Sequence, residues 1–498
     1  MKRSVPITVC GALKVAGTLR VPSAASSALG AAFSALGGRH TERACYFMGR
    51  GRLARRGLGP AMLRMALVVA AVLLTAAAAA AATERFPPPD FTSHRLPEPL
   101  SNVQALQPRA PVWDYLDVAV LAAALSLASY FALVKRWRRG LLGLSIASLA
   151  WLGFWRQGCV CPIGAIQNVA LALFDPTYAI PVSVVLFFAL PLLFTFFFGR
   201  TFCASVCPLG AAQELAVFRP VKVHAGLEHA LGLIPYVYLG AAVLYAATGT
   251  AFVICQYDPF VSFFRRSGSV NMLVYGGCLL VIGMFVGRPY CRYLCPLGAI
   301  FRLISPLAKW HVRIPPDECI NCRLCEEACP YGAIRPPTAE LSADQRLRGR
   351  SRLAALAVLL PLLVAAGFAL GRQTAEALAH LNPAWRLAER VYQEQAGAVQ
   401  GTIDASDAFR NTGRPAADLY REAEGLRKRF ASAGGLLGAW VGLVIGLKLI
   451  QLSRRRRRTE YVADRSRCVS CGRCFWHCPK EQVRLGLIPE GGEMRAEG

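Results

Sequence analysis

The sequence Cys319-Ile-Asn-Cys322-Arg-Leu-Cys325-Glu-Glu-Ala-Cys329-Pro330 returns with the same spacing as Cys468-Val-Ser-Cys471-Gly-Arg-Cys474-Phe-Trp-His-Cys478-Pro479. Both copies read C-x2-C-x2-C-x3-C-P, the spacing of bacterial ferredoxins. In such modules three closely spaced thiolates hold one [4Fe–4S] cluster, and the fourth cysteine ligates the other cluster. This pattern assigns one cluster to Cys319, Cys322, Cys325 and Cys478, and the other to Cys468, Cys471, Cys474 and Cys329. Zinc knuckles or disulfides are the alternative, although the spacings of zinc sites are looser.

About 140 residues separate the two copies, and they include two apolar stretches of membrane length, residues 352–371 and 434–452. We predict that these stretches form a transmembrane hairpin. The hairpin would split one two-cluster, ferredoxin-like α+β module into halves at residues 311–340 and 453–498. Residues 372–433 mix acids and bases at helical spacing and are predicted to form a periplasmic helical loop.

The composition indicates a polytopic α-helical membrane protein. Of 498 residues, 54% are hydrophobic and 17% are charged, and the apolar residues come in runs of membrane length. The net charge of +26 could suggest a nucleic-acid partner. Basic residues instead cluster at one end of each apolar run, as in membrane loops, so we expect a lipid bilayer and no nucleic acid.

Five further candidate spans predict a membrane domain over residues 115–310. They lie at about 115–134, 141–157, 179–198, 230–252 and 270–287. Basic runs follow the first of these spans, at 135–139, and the last span of the chain, at 454–458. The positive-inside rule then predicts a multi-pass protein of the bacterial inner membrane whose ferredoxin module is cytoplasmic.

The N-terminal region carries three weaker patterns. Residues 1–60 are basic and rich in Gly and Ala, which indicates a disordered extension or a start codon assigned too early. Residues 61–82 form an apolar run typical of a signal peptide or an anchor helix. Residues 83–114 are rich in proline and are predicted to be an extended periplasmic segment.

A repeat inside the membrane domain adds four cysteines. Gly199-Arg-Thr-Phe-Cys203-x3-Cys207-Pro matches Gly287-Arg-Pro-Tyr-Cys291-x3-Cys295-Pro. If the spans bring the copies together, the four thiols could hold one further iron–sulfur cluster or act as a redox-active dithiol site. The alternative is that the copies are packing turns with free thiols.

Three cysteines lie at the opposite predicted face: Cys159, Cys161 and Cys255. Buried cysteine is often only a small apolar residue. An electron that crosses a hydrocarbon core of roughly 30 Å would nevertheless need a stepping stone, and these are the soft ligands available there. Both interpretations stay open.

The sequence does not indicate haem binding or catalysis by acid, base or nucleophile. The seven histidines do not lie in mid-span pairs, so a bis-histidine haem is not expected. The sequence shows no pattern of a general acid, base or nucleophile. We therefore expect an electron carrier of an oxidoreductase system without its own substrate-chemistry site.

The paired Cys-x3-Cys-Pro turns and the two ferredoxin motifs resemble those of the NosR/NirI family of membrane polyferredoxins, and also of the related NapH-type quinol dehydrogenase subunits. The resemblance covers roughly residues 110–335 and 434–485. It implies electron transfer between the quinone pool or a cytoplasmic donor and a periplasmic reductase, in particular the nitrous oxide reductase system of denitrification. A redox-sensing, regulatory or maturation role for that reductase is the alternative.

One family feature does not occur in the sequence. NosR-type proteins carry a periplasmic flavin-binding domain with a Ser/Thr-Gly-Ala-Thr attachment motif before the spans. Residues 83–114 occupy that place here and contain no such motif. FMN is therefore not expected in this chain, and a separate flavoprotein or cytochrome partner would have to supply its chemistry.

Overall fold

Helices make up most of the computed structural model, which describes residues 110–158, 161–265, 270–314, 319–338, 342–454 and 458–486. The predictions for 1–60, 61–82 and most of 83–114 lie outside these residues, as does Cys159. The described helices of the membrane domain are α1 Pro111–Ser129, α2 Arg138–Ser148, α3 Pro162–Phe174, α4 Val182–Phe198, α5 Thr201–Ser205, α6 Pro208–Ala216, α7 Ala225–Leu231, α8 Ile234–Ala247, α9 Val253–Tyr257, α10 Pro259–Arg265, α11 Val270–Phe285, α12 Pro289–Tyr293 and α13 Pro296–Ile304.

The remaining elements form the hairpin, the loop between its helices and the ferredoxin halves. They are α14 Leu324–Glu327, β1 Ile334–Arg335, α15 Ala343–Gln373, α16 Ala375–Ala379, α17 Pro383–Gln395, α18 Asp404–Asn411, α19 Ala416–Ser453, β2 Val462–Ala463, α20 Arg473–Trp476 and α21 Pro479–Arg484. Short π-helical segments extend α1 to Lys135 and α2 to Trp155.

Within the described residues, four helical stretches are long and apolar enough to cross a membrane: Val112–Lys135, Ala225–Ala247, Asp344–Gln373 and Ala416–Ser453. The bent pair α10 and α11 would make a fifth. The spans predicted at 141–157 and 179–198 correspond to shorter helices, α2 with its π-helical extension and α4. The fold is therefore a mostly helical, multi-pass membrane architecture in which several helices are short.

Three of the short helices in the membrane domain begin directly after a cysteine. Cys161, Cys207 and Cys295 are the N-cap residues of α3, α6 and α13, and proline occupies the first position of each helix. Proline suits this position because its fixed φ is already helical and its missing N–H would have no partner there. The span predictions did not include α3, which has 13 residues and so falls short of a full crossing.

Helices α15 and α19 pack side by side through glycine. A Cβ at Gly438 would overlap the carbonyl of Gly367, and a Cβ at Gly371 would overlap the carbonyl of Gly434. Small residues allow the close backbone approach that is typical of helix pairs in membranes. On the outer surface of α15, Val358, Leu362 and Leu370 are all more than 60% exposed, as expected of a helix that faces lipid.

The segment between these two helices is helical. Ala388 and Val391 of α17 pack against Phe409 of α18 and Leu419 of α19. The segment contacts the membrane domain at the end of α8, where Asn382 Nδ2 donates a hydrogen bond of 3.1 Å to Thr250 Oγ1. It therefore lies beside α9, which contains Cys255.

The two ferredoxin halves come together in a small antiparallel pair, β1 with β2, in which Ile334 is paired with Ala463. Ile334, Ala463, Tyr461 and Cys325 form a buried cluster beneath the pair. Arg335 and Asp464 join the same strands by an ion pair of 3.1 Å. Segments more than 120 residues apart in the sequence thus build a single α+β unit.

Candidate iron–sulfur sites

The first set of cysteines lines one pocket. Cys319, Cys322 and Cys325 from the first half surround it together with Cys478 from the second half, and Tyr461 and Ile314 complete the wall. The atom-free space there, open solvent included, is about 360 Å³. Burial raises the pKa of Cys325 to about 12, and the neighbouring thiols of Cys322, Cys319 and Cys478 add to the effect. The structure thus brings these four sequence-predicted residues together.

The second set combines three cysteines of the second half with one cysteine of the first half. Burial raises the pKa of Cys468 to about 12, and its neighbours include Cys471 and Cys329. Cys474, which is partly buried, lies near the same three thiols. Cys329 Sγ also accepts a hydrogen bond from the Ala333 N–H at 3.4 Å. Each half therefore contributes one cysteine to the group formed by the other half.

The two motif copies have the same local backbone. In the first copy Asn321 and Arg323, which flank Cys322, have φ values of 53° and 65°. In the second copy Ser470 and Gly472 flank Cys471 with φ values of 56° and 80°. Left-handed conformations cost roughly 1–2 kcal/mol for residues other than glycine. Their recurrence at matching positions indicates that the loop shape is needed to turn the thiols inwards.

These residues fit iron–sulfur clusters. Buried thiols with raised pKa values are protonated at neutral pH, and a metal that binds them as thiolates displaces the protons. Cysteine thiolates are the usual ligands of such clusters. Among the described residues, no three His, Cys, Asp or Glu side chains form a group that could hold a single metal ion.

The four cysteines of the internal repeat also converge. Cys207 lies close enough to Cys203, Cys291 and Cys295 to interact with each of them electrostatically. Cys207 and Cys295 are both 6% exposed. Polar groups point at three of the sulfurs: Gly298 N–H lies 3.3 Å from Cys295 Sγ, Gln213 Nε2 lies 3.4 Å from Cys291 Sγ, and Arg200 Nη2 lies 3.8 Å from Cys203 Sγ. We call these four cysteines the inner set.

The inner set lies next to the second ferredoxin set. Tyr331, Ala333 and Val469 form a buried cluster, and Cys203 packs against it from one side. The cysteines that pack against the same cluster from the ferredoxin module are Cys329, Cys468 and Cys471. The described thiols therefore form a series from the ferredoxin pocket to the membrane domain.

Glu214 of α6 holds these parts together. Its carboxylate accepts hydrogen bonds from Arg288 at 3.1 Å, from Arg473 at 2.9 Å and from Arg138 at 3.2 Å, and also from the Tyr331 hydroxyl. Burial alone would raise the pKa of Glu214, but the three guanidinium groups and the Tyr331 hydroxyl outweigh it and lower the pKa to about 2. An ionised carboxylate thus links both repeat copies to both ferredoxin halves.

Sequence reasoning did not identify Glu214 or its partner Arg288. The available signal was Arg288 itself, which follows Gly287 in the repeated sequence and corresponds to Arg200 in the first copy. Arg288 also donates hydrogen bonds to the carbonyls of Cys203 and Ala204, so it fixes the backbone at the first cysteine of the other copy.

The structure describes Cys161 and Cys255 of the three cysteines predicted at the opposite face, which we call the outer cysteines. Cys161 lies close enough to Cys255 and Asp258 for electrostatic interaction. It is also within electrostatic reach of Cys207 and Cys295 of the inner set. Cys161 therefore lies near the inner set, and Cys255 lies near Cys161.

Parts of the chain match known protein families and known proteins in sequence. A 4Fe-4S binding domain model matches residues 180–224 and 270–315, which contain the inner set, and a second 4Fe-4S binding domain model matches residues 312–335. The chain is 34% identical over 274 residues to "Protein NirI" of Paracoccus denitrificans, covering 49% of this chain and 40% of that protein. The chain is similar to membrane polyferredoxins of the NosR/NirI type.

Two further relatives are similar to the chain over part of their length. The polyferredoxin is 29% identical over 230 residues to "Regulatory protein NosR" of Pseudomonas aeruginosa, covering 41% of this chain and 30% of that protein. It is 28% identical over 148 residues to "Putative electron transport protein YccM" of Escherichia coli, covering 26% of this chain and 41% of that protein. The polyferredoxin spans less than half the length of each of these relatives. No solved structure matches it.

Proposed function

We propose that this polyferredoxin carries electrons across the inner membrane, between the quinone pool or a cytoplasmic donor and a periplasmic reductase, its flavoprotein or its cytochrome. The observation that carries the proposal is the series of thiol sets, which runs from the ferredoxin pocket through Cys329 and Cys468 to Cys203. [4Fe–4S] clusters, when bound, supply one-electron transfer. We assign their ligands to the two crossed sets of four cysteines, and a further cluster to the inner set.

Basic residues support a cytoplasmic position for the ferredoxin module. Arg138 Nη1 donates a hydrogen bond of 2.8 Å to the Cys471 carbonyl, and Arg136 forms a 2.9 Å ion pair with Glu481. These arginines belong to the basic run 135–139 after the first span, so that run and the second ferredoxin half lie at the same end of the molecule. By the positive-inside rule that end is cytoplasmic.

The polypeptide's own contribution is to hold the thiols and to exclude water between the sets. Tyr331 and Val469, which separate the second ferredoxin set from Cys203, are 5% and 6% exposed. Burial there also lowers the local dielectric, which strengthens the hydrogen bonds that reach the sulfurs.

The test is electron transfer across vesicles. The full chain would be reconstituted in liposomes that enclose ferricyanide, with dithionite outside. We expect the wild-type chain to reduce the enclosed ferricyanide. Cys291→Ser should abolish this reduction while the EPR signals of the ferredoxin clusters remain, and Cys278→Ser, which changes an exposed cysteine of α11, should behave as wild type. Equal rates in Cys291→Ser and wild type would refute the proposal.

A regulatory role in denitrification is the second candidate, because two of the relatives are named "Regulatory protein NosR". A sensor need not turn over at the rate of respiration. The test compares the reoxidation rate of the clusters, after reduction by quinol or dithionite, with the respiration rate of the same membranes. If reoxidation is far slower than respiration, sensing explains the protein better than transport does.

A further inference from the structure

Three five-residue helices have the same design. In α5, α9 and α12 the third residue is a cysteine: Cys203, Cys255 and Cys291 respectively. The helix that follows each of them begins at a proline, and the residue directly before that proline can be compared between the three. That residue is Cys207 after α5, Cys295 after α12 and Asp258 after α9. Asp258 follows Cys255 by three residues, whereas Cys207 and Cys295 follow Cys203 and Cys291 by four. Apart from this one-residue difference, Asp258 precedes its proline as a cysteine does at the inner set.

The outer site repeats a glutamine contact of the inner set. Gln213, six residues after Cys207, accepts from Tyr290 N–H at 3.0 Å and donates to Cys291 Sγ at 3.4 Å. Gln167, six residues after Cys161, accepts from Ile254 N–H at 2.6 Å and donates to Cys255 Sγ at 3.6 Å. Both glutamines are fully buried. The pair Cys161 and Cys255 is thus held as Cys207 and Cys291 are held.

Each arrangement has a second turn that ends in proline, after Cys295 at the inner set and after Asp258 at the outer cysteines. Six residues after that turn's Cys or Asp, phenylalanine stands where the first turn has glutamine. Phe301, six residues after Cys295, packs against Phe202 with ring centroids 5.8 Å apart. Phe264, six residues after Asp258, lies against Gly158, where an added Cβ would be 3.3 Å from its ring. The membrane domain therefore contains the same arrangement twice, once at each set of cysteines.

The two arrangements are joined by one residue. Tyr290 binds Gln213 through its backbone and donates a 3.4 Å hydrogen bond from its hydroxyl to Asp258 Oδ2. Asp258 is 4% exposed, and its other oxygen accepts from Phe260 N–H at 2.9 Å. A carboxylate has about four acceptor positions, so these bonds leave room for a metal ligand bond. A Cβ at Gly164 would lie 3.1 Å from Cys255 Sγ, which explains glycine there.

We propose that Cys161, Cys255 and Asp258 bind an iron–sulfur cofactor, as the outer counterpart of the inner set with one carboxylate in place of a thiolate. Thiolates favour soft metals and iron–sulfur groups, and carboxylate oxygen also ligates iron. The inference rests on the proposed electron transport, for which this site gives the exit. Cys255 is exposed, so a periplasmic acceptor could approach it.

The test uses the full chain, enriched in ⁵⁷Fe and purified without oxygen. Cys255→Ser and Asp258→Ala should each lose the iron and sulfide of one site while the Mössbauer and EPR signals of the ferredoxin clusters and the inner set remain. Asp258→Cys should keep the iron and change the spectrum of that site. Cys278→Ser is the matched control.

Iron, sulfide and spectra that equal those of Cys278→Ser in both Cys255→Ser and Asp258→Ala would overturn the inference. The retained ferredoxin signals and the iron-loaded Asp258→Cys chain separate loss of the site from a failure to fold. If the wild-type chain moves electrons across vesicles but these variants keep all their iron, only the outer site is wrong. If the wild-type chain moves none, the proposed transport itself fails.

Discussion

Arg288 donates to Glu214 across 3.1 Å, and neither side chain is more than 2% exposed. The two residues belong to different copies of the internal repeat, so their ion pair fixes one Cys-x3-Cys-Pro turn against the other. Removal of one partner from a buried pair leaves an uncompensated charge, which costs far more than the pair itself contributes. Glu214 should therefore be the most sensitive acidic residue at the junction between the ferredoxin module and the membrane domain.

We predict that Glu214→Ala destabilises the protein by about 3–5 kcal/mol, because Arg288 loses its buried partner. Thermal unfolding in detergent, followed by loss of cluster absorbance, measures this effect. The control is Asp344→Asn, which removes an ion pair with Arg348 whose side chains are 77% and 83% exposed and so should change stability by less than about 1 kcal/mol. Similar unfolding temperatures in the two variants would contradict the role of Glu214.

The pH dependence of this effect follows from the lowered pKa. The pKa of Glu214 is about 2, against an ordinary value of 4.5. The stabilisation by its ionised form is therefore fully present above about pH 4.5 and is lost as the pH falls towards 2. We expect the difference in unfolding temperature between wild type and Glu214→Gln to stay constant from about pH 8 to pH 5. A difference that shrinks within this range would show that the carboxylate titrates much higher.

Crossed cluster ligation predicts which variants resemble each other. Cys478→Ala should lose the same EPR signal as Cys322→Ala, because both residues line the first pocket. Cys329→Ala should instead match Cys471→Ala, since these thiols are neighbours in the second set. EPR spectra with iron counts on the four purified variants give the comparison. If Cys478→Ala matches Cys471→Ala, each half binds its own cluster and the crossed assignment is wrong.

The glycine contact between α15 and α19 should tolerate no side chain. Gly438→Ala places a Cβ against the Gly367 carbonyl and should force the helices apart, which we expect to lower the unfolding temperature and the cluster content together. Gly425→Ala is the matched control in the same helix, because no atom lies within 4 Å of its added Cβ. It should be neutral or stabilising by up to about 1 kcal/mol. Equal behaviour of the two variants would argue against close helix packing.

Much of the site could be predicted from the sequence, because cluster ligation needs fixed cysteine spacings. The spacing around Cys319 and Cys468 predicted which thiols meet, and the four-thiol inner set followed from a repeat. Asp258 could not be found in this way, because it follows Cys255 by three residues and not by the four of the repeat, and the correspondence depends on the tertiary contacts of Gln167 and Gln213. Glu214 resembled an ordinary helix-surface acid until its four partners were placed around it.

The fold was predictable where the helices are long. Helices such as α15 and α19 meet the length that a bilayer requires, so apolar runs identified them. Helix α3 did not meet this length, because 13 residues are too few to cross a bilayer. The proline at its first position also suggested a turn. The contact between the basic run 135–139 and the second ferredoxin half joins segments that are far apart in the sequence. No local sequence pattern predicts such a contact.

The order of the ligands along the chain has a consequence for biogenesis. Under the crossed assignment, neither ferredoxin cluster can be completed until Cys468 to Cys478 have left the ribosome, by which time both helices of the hairpin have been synthesised. Iron would then bind only after the hairpin has been synthesised. Truncated or misinserted chains would lack clusters, and their metal-free cysteines would be accessible to proteases.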